Sequence, residues 1–121
     1  MRMLFIDDEP VLGQIIREYF SLFPDYSIEV EQYPLQAVAR QDIASFDLIL
    51  VDFNMPEMNG EQVASKLRTS GYSRPIVMLS SVLPFERTKN INLYLDKADS
   101  CSDLELLMHR IKQVVQQRVT T

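Results

Sequence analysis

The sequence has few of the features that mark exported, membrane-embedded or nucleic-acid-binding proteins. Its single cysteine, Cys101, cannot form an internal disulfide, and an inert thiol is the expected state. Apolar runs such as residues 46–53 are interrupted by aspartates and are too short to span a bilayer, and the first residues lack a signal-peptide pattern. Lysine and arginine number 12 against 17 acidic residues, without a basic run that would bind a phosphate backbone. These absences predict a cytoplasmic protein that contacts neither membrane nor nucleic acid directly.

The length and composition fit one folded domain. The chain has 121 residues, of which 46% are hydrophobic and 24% charged. These proportions are typical of a soluble globular protein with a single core. No repeat, low-complexity tract or linker interrupts the chain. We therefore expect a single domain over residues 1–121.

Short apolar segments alternate with segments of helical periodicity. The predicted strands are residues 3–6, 26–31, 46–51, 75–79 and 93–95. The third is apolar on both faces after Asp47, which is typical of a strand inside a parallel sheet. Strands that alternate with helices predict an α/β fold, in which an open parallel sheet is covered on both faces.

Helical spacing of apolar residues predicts which helix faces turn inward. The first helix begins near Pro10, the second near Pro34, and the third covers residues 60–69. In the first helix Val11, Leu12, Ile15, Ile16 and Tyr19 recur at helical spacing. The predicted inward residues are Leu35, Val38 and Ala39 in the second helix and Val63, Ala64 and Leu67 in the third.

The last helix has a start signal and an apolar stripe. Ser102 and Glu105 have the spacing of a capping box. The stripe contains Leu104, Leu107, Met108, Ile111, Val114 and Val115, and core packing is its expected role. His109 is expected on the solvent side, where a lone histidine is a poor metal ligand.

The residues that directly follow the predicted strands are mostly acids, hydroxyls and one lysine. They are Asp7 and Asp8 after the first strand, Asp52 and Asn54 after the third, Ser80 and Ser81 after the fourth, and Asp96 and Lys97 after the fifth. In open α/β sheets these strand ends meet where ligands bind. Clustered carboxylates need a cation, and oxygen ligands with few carboxylates favour Mg²⁺ over Ca²⁺. The set predicts a Mg²⁺ site; taken singly, each acid could instead be a turn or cap residue.

Four segments together resemble a response-regulator receiver domain. They are residues 4–10 (LFIDDEP), 47–60 (DLILVDFNMPEMNG), 75–81 (PIVMLSS) and 94–97 (YLDK). The resemblance covers essentially the whole chain. It implies a flavodoxin-like (βα)5 three-layer sandwich whose five-stranded parallel sheet has the order 2-1-3-4-5.

The resemblance also implies a role for each site residue. Asp52 would accept a phosphoryl group from a phosphohistidine on a sensor histidine kinase or a histidine phosphotransfer protein. Mg²⁺ would be held by Asp7, Asp8, Asp52 and the backbone carbonyl of Asn54. Lys97 and Ser80 would contact the phosphoryl oxygens, and Ser81 would leave room for the donor.

A conformational switch is implied as well. Phosphorylation would draw the Ser80 hydroxyl inward, and the ring of Tyr94 would fill the vacated space, which changes the surface offered to a downstream effector domain or protein. Tyr94 could instead be ordinary packing at a strand edge. Such a chain is a switch rather than a turnover enzyme, and it could form a homodimer.

Two features depart from the family pattern. Ala98 replaces the proline that usually follows the active-site lysine, so we predict a trans Lys97–Ala98 bond and an altered loop. The stretch from Ser80 to Lys97 is also short. We therefore predict a short or irregular fourth helix of one or two turns within residues 85–91.

Three other functions are compatible with parts of this pattern. A haloacid-dehalogenase phosphatase would need an acid where Asn54 stands. A flavin-binding module would need a phosphate loop after the first strand, where Asp7 and Asp8 would repel a phosphate. A degenerate receiver that only binds proteins is the third alternative, and the intact Asp52 and Lys97 argue against it.

Overall fold

Five strands and five α-helices follow one another in the computed structural model, which describes residues 1–82 and 87–120, without the side chains of 118–120. The strands are β1 (Arg2–Ile6), β2 (Ser27–Glu31), β3 (Leu48–Asp52), β4 (Ile76–Ser80) and β5 (Leu93–Asp96). The helices are α1 (Pro10–Phe20), α2 (Pro34–Val38), α3 (Gly60–Thr69), α4 (Lys97–Ser102) and α5 (Leu104–Thr120), with a 3-10 turn at Ile43–Ser45.

The strands form one parallel sheet in the order β2-β1-β3-β4-β5. Every residue of β3 and β4 is buried, as expected of strands covered on both faces. Alternate residues of the same strand enter different cores: Ile49 packs in one apolar cluster and Leu50 in the other. The predicted three-layer α/β fold and its strand order are confirmed.

Helix α3 has the start and the inner face that its sequence predicts. The Asn59 side chain accepts from the backbone N–H of Gln62, and the Gln62 side chain accepts from the N–H of Asn59, which completes a capping box. Val63, Ala64 and Leu67 are buried. In α3 the capping residues and the spacing of the apolar residues therefore indicate the same helix.

The inner face predicted for α2 is wrong at two positions, since Leu35 and Ala39 are exposed. In α1 the apolar spacing does not coincide with the buried face, because Val11 and Ile15 are 69% and 46% exposed. Gly13, Ile16 and Phe20 are the buried residues of α1. Gly13 lies close to the sheet, where an added Cβ would lie 2.6 Å from Val30 Cγ1. In α2 the buried residues are Pro34 and Ala37.

The capping box predicted at Ser102 and Glu105 does not form. Asp103 caps α5, because its carboxylate accepts from the backbone N–H of Leu106 at 3.0 Å. The Ser102 hydroxyl instead donates to the carbonyl of Asp99 in α4. Downstream, Leu107, Met108 and Ile111 are buried and His109 is exposed, as predicted.

The predicted departures lie on either side of β5. Among the described residues no peptide bond is cis, so the trans Lys97–Ala98 bond is confirmed. Helix α4 begins at Lys97 itself, with Asp96 as its cap. The predicted fourth helix includes residues 85 and 86, which lie outside the described residues. The rest of that segment, residues 87–91, contains a turn and no helix.

No helix in the described part of the chain combines the length and the apolar character that a membrane span requires.

Candidate functional site

One edge of the sheet collects most of the predicted site residues. Asp7 and Asp8 follow β1, Asp52 ends β3, and Lys97 follows β5. Since all strands are parallel, their carboxyl ends meet at the same edge. The structure brings these four side chains together, as the sequence predicts.

The three aspartates form a close cluster. One ligand oxygen from each of Asp7, Asp8 and Asp52 lies within 4.8 Å of the others. Asp7 is 0% exposed and Asp52 is 2% exposed. Asp7 Oδ2, Asp8 Oδ1 and Asp52 Oδ2 are buried without a hydrogen-bond partner. Buried carboxylate oxygens are costly without a partner, so this set fits a hard divalent cation such as Mg²⁺.

Lys97 is the cation that faces the cluster. Its Nζ atom lies 3.2 Å from Asp52 Oδ1 and 3.6 Å from Asp7 Oδ2. It also lies 3.5 Å from Glu9 Oε1, a contact that the sequence analysis did not predict. The position of Glu9 directly after Asp7 and Asp8 was the available signal. One ammonium therefore faces three carboxylates.

The cluster has more carboxylates than ammonium groups, and the pKa values of its buried members are shifted. Burial raises the pKa of Asp7 to about 6, and the nearby Asp52 charge adds to the effect, while the hydrogen bond from the Glu9 N–H opposes it. Burial also raises the pKa of Asp52, against the lowering influence of Lys97. Burial alone would lower the pKa of Lys97, but the surrounding carboxylates outweigh it and the pKa is raised. A further positive charge would stabilise the ionised acids.

Gly60 holds the loop after β3 against the strand. Its N–H donates to the Phe53 carbonyl at 2.8 Å. An added Cβ would lie 2.7 Å from the Asp52 carbonyl oxygen and 2.9 Å from Met78 Sδ. Glycine is therefore required for this approach, which positions the strand end that carries Asp52.

A cavity of about 410 Å³ opens beside Asp52. Its lining residues are Glu9, Val11, Leu12, Ile15, Asp52, Asn54, Ser81, Lys97, Ala98 and Cys101. The exposed apolar residues of α1 thus border the site instead of joining the core. Burial raises the pKa of the Cys101 thiol, so the predicted inert state agrees with its surroundings.

The two predicted switch residues are held by backbone groups after β4. The Ser80 hydroxyl donates to the Val82 carbonyl and accepts from the Val82 N–H at 3.1 Å. The Tyr94 hydroxyl accepts from the Thr88 N–H at 2.9 Å. Both hydroxyls therefore contact the β4–β5 connection.

Known proteins with similar sequences are response regulators. Residues 3–97 match the response regulator receiver domain. The nitrate/nitrite response regulator protein NarL of Escherichia coli K12 is 37% identical over 79 residues, which are 64% of this chain and 37% of that protein. The cell cycle response regulator CtrA of Brucella ovis is 29% identical over 86 residues, 71% of this chain and 37% of that protein. The matches thus cover little more than a third of each relative.

Solved structures show the same fold. The response regulator domain of Thermotoga maritima CheB superposes with a TM-score of 0.81 at 19% identity, over 96% of each chain. The response regulator protein TrrA of the same organism, in complex with Mg²⁺-BeF, has a TM-score of 0.76 at 22% identity, over 93% of this chain and 97% of that one. At these identities the likeness supports the fold alone.

Proposed function

The chain belongs to the response regulator receiver domain family of two-component systems, and on that basis we propose that it is switched by phosphorylation of Asp52 in the presence of Mg²⁺. One observation carries the proposal: Asp52 lies in a buried cluster of acids with unpartnered oxygens, 3.2 Å from the ammonium of Lys97. An acceptor carboxylate, a cation site and a fixed positive charge are the parts that phosphoryl transfer needs.

The donor set suits Mg²⁺. Asp7, Asp8 and Asp52 would hold the ion with their carboxylates, and the family resemblance adds the backbone carbonyl of Asn54. When bound, the ion supplies charge neutralisation between the carboxylates and an incoming phosphoryl group. Lys97 contributes the same kind of neutralisation through its contact with Asp52.

Asp52 supplies the nucleophile. A carboxylate oxygen of Asp52 attacks the phosphorus of a phosphohistidine, so a P–O bond forms while the P–N bond breaks and the imidazole nitrogen keeps the electron pair. The Lys97 ammonium then pairs with a phosphoryl oxygen in place of part of its contact with Asp52. The cavity of about 410 Å³ beside Asp52 gives the donor a route to the carboxylate.

The output depends on Ser80 and Tyr94. A phosphoryl oxygen competes with the Val82 backbone for the Ser80 hydroxyl, and a movement of Ser80 changes the packing available to the Tyr94 ring. Phosphorylation shifts the population only as far as it favours one arrangement over the other. The chain is thus a switch and not a turnover enzyme.

The proposed partners follow from this role. A sensor histidine kinase or a histidine phosphotransfer protein donates the phosphoryl group, and an effector domain or protein responds to the switched surface. With a net charge of −5 the chain itself makes no direct contact with nucleic acid or membrane. A cytoplasmic location and a homodimer complete the proposal.

Mass spectrometry after treatment with acetyl phosphate and Mg²⁺ tests the proposal. The wild-type chain should gain one labile phosphoryl group, and Asp52→Ala should abolish the gain. Asp25→Ala, which changes an exposed aspartate outside the cluster, should behave as wild type.

Other outcomes identify the alternatives. A chain that releases inorganic phosphate with many turnovers would be a phosphatase. A wild-type chain that takes up no phosphate would be a degenerate receiver that acts only by binding proteins. Uptake that persists in Asp52→Ala would place the acceptor elsewhere.

A further inference from the structure

In the described part of the β4–β5 connection, a carboxylate of helix α3 bonds two side chains. Glu61 Oε1 accepts from the Thr88 hydroxyl at 2.6 Å and from the Asn90 side-chain amide at 3.3 Å. All three residues are only partly buried. Hydrogen bonds to a charged acceptor are stronger than neutral ones, so this attachment is substantial for a surface segment.

The same segment holds Tyr94. The Thr88 N–H donates to the Tyr94 hydroxyl at 2.9 Å, and the Arg87 guanidinium lies 5.1 Å from the centre of the Tyr94 ring. Thr88 therefore bonds Glu61 through its side chain and Tyr94 through its backbone. A displacement of Thr88 would break both bonds.

Arg68 of α3 also contacts this segment, because its Nε atom donates to the Asn90 carbonyl at 3.1 Å. Residues 87–90 contain a turn but no helix, so the local backbone lacks a repeating hydrogen-bond pattern. Asn90 N–H donates to the Thr88 hydroxyl at 3.3 Å, which adds a local bond around the same residue. Side-chain bonds from α3, of which Glu61 makes the one to Thr88, therefore help to position residues 87–90 relative to Tyr94.

We propose that Glu61, Thr88 and Asn90 form a latch, the Glu61 latch, which stabilises the resting arrangement of Tyr94 and is released when Asp52 is phosphorylated. The release rests on the function proposed above, whereas the latch itself is a property of the unphosphorylated chain. A contact that is made in only one arrangement favours that arrangement by its own free energy. The Glu61 latch therefore affects the fraction of chains that have Tyr94 in the resting arrangement before and after phosphorylation.

Glu61→Asp and Thr88→Val break the latch from its two sides. Glu61→Asp keeps a negative charge in the first turn of α3 but shortens the side chain, so the carboxylate no longer reaches Thr88. Thr88→Val keeps the shape of the side chain and removes the hydroxyl donor. Lys66→Ala changes an exposed charged residue of the same helix and serves as the matched control.

Amide hydrogen exchange at residue 88, measured by NMR on the unphosphorylated chain, is the first readout. Both latch variants should exchange this amide on the order of tenfold faster than wild type, because the loss of a charge-assisted hydrogen bond raises the open population by that factor. Lys66→Ala should match wild type. If Glu61→Asp and Thr88→Val both keep the wild-type rate, the latch is disproved.

The second readout follows the same amide after acetyl phosphate and Mg²⁺ are added. Phosphorylated wild type should exchange residue 88 as fast as the latch variants, while Asp52→Ala should not respond. A chain with a confirmed phosphoryl group and unchanged protection at residue 88 would disprove the release. If no phosphoryl group is taken up, the proposed function fails, and the first readout alone decides whether the latch exists.

Discussion

Two clusters of charged residues lie at opposite ends of the same sheet and differ in their balance. The amino-end cluster contains Arg2, Arg40, Glu29, Glu31 and Asp42. The carboxyl-end cluster contains Asp7, Asp8, Glu9, Asp52 and Lys97. The first has two arginines for three acids, whereas the second has one lysine for four acids.

In the amino-end cluster the charges are matched by hydrogen bonds. Arg40 Nε lies 2.8 Å from Asp42 Oδ1, and Arg2 Nη2 lies 2.7 Å from Glu29 Oε2. Both guanidiniums also face the ring of Phe46. The hydrogen bond from Arg40 lowers the pKa of Asp42 to about 2, and the hydrogen bond from Arg2 lowers the pKa of Glu29. These acids are stabilised in their ionised form.

In the carboxyl-end cluster the pKa values of two acids move in the opposite direction, because burial raises the pKa of Asp7 to about 6 and also that of Asp52. Both clusters combine acids with basic residues, so the opposite pKa shifts of their acids come from differences in burial and in hydrogen-bond partners. The contrast teaches that matched partners favour the ionised form of an acid, whereas acids in an unmatched, buried cluster would gain stability from a bound cation, as the proposed function requires.

The largest expected change in the free energy of unfolding comes from removing the ammonium of Lys97 from the carboxyl-end cluster. Lys97→Ala leaves buried carboxylates without a positive partner, so we expect the free energy of unfolding at pH 7 without Mg²⁺ to fall by about 3 kcal/mol. Urea denaturation measures the change. The loss should be smaller near pH 4, where the acids are partly protonated. An equal loss at both pH values would show that packing and not charge is responsible.

Neutralisation of Asp7 should raise the free energy of unfolding, whereas removal of the Lys97 ammonium should lower it. The pKa of Asp7 is raised from 3.8 to about 6 on folding, so its ionisation costs stability as pH rises through this window, and the full cost is present above it. Asp7→Asn should therefore raise the free energy of unfolding at pH 7 without Mg²⁺ by roughly 1–3 kcal/mol. Below pH 4 the variant and wild type should converge.

The stabilisation by added Mg²⁺ is the control for the Asp7→Asn prediction. The ion should stabilise wild type against urea at pH 7 and stabilise Asp7→Asn less, because one ligand charge is lost. A variant that is destabilised at pH 7, or that gains as much from Mg²⁺ as wild type, would contradict the assignment of Asp7.

A substitution in the amino-end cluster should change the free energy of unfolding least. Arg40→Ala removes partners from Asp42 and Glu29, but these acids are partly exposed, so the expected loss in the free energy of unfolding is only about 1 kcal/mol at pH 7. The lowered pKa of Asp42 means that this contribution is present above its ordinary value of 3.8 and is lost as pH falls through about 2. Urea denaturation at low and high salt measures both effects.

Arg74→Ala is the matched control at the same end of the sheet. The pair of Arg74 with Asp47 is more exposed, with 44% and 42% of the two side chains accessible, so the loss should stay within about 0.5 kcal/mol. If Arg40→Ala costs no more than Arg74→Ala, the cooperative network around Arg40 has no energetic role.

The convergence of the acids and Lys97 was predictable from the sequence because it depends on strand ends. Once Asp7, Asp52 and Lys97 are placed directly after parallel strands, the topology brings them to one edge whatever the details of packing. The capping box of α3 was absent from the prediction, although Asn59 and Gln62 have the required spacing. The extra Lys97 partner, Glu9, was missed because its contact depends on where one long side chain reaches.

Apolar periodicity was insufficient for α1 and α2. Val11 and Ile15 have helical spacing but border the cavity, while Gly13 of the same helix lies against Val30. The face that a helix presents to the sheet depends on the shape of the sheet surface, which local spacing does not specify. The start of α5 at Asp103 instead of Ser102 likewise follows from the presence of α4 directly before it.

By itself the sequence determined the alternation of strands and helices, the parallel sheet and the edge at which the acids collect, because these follow from periodicity and from residues adjacent in the chain. Only the tertiary structure decided which helix faces are buried, how Arg40 matches its acids, and that Glu61 fastens Thr88 close to Tyr94. Each of these joins side chains from separate elements, and their contact depends on packing distances that no local pattern encodes.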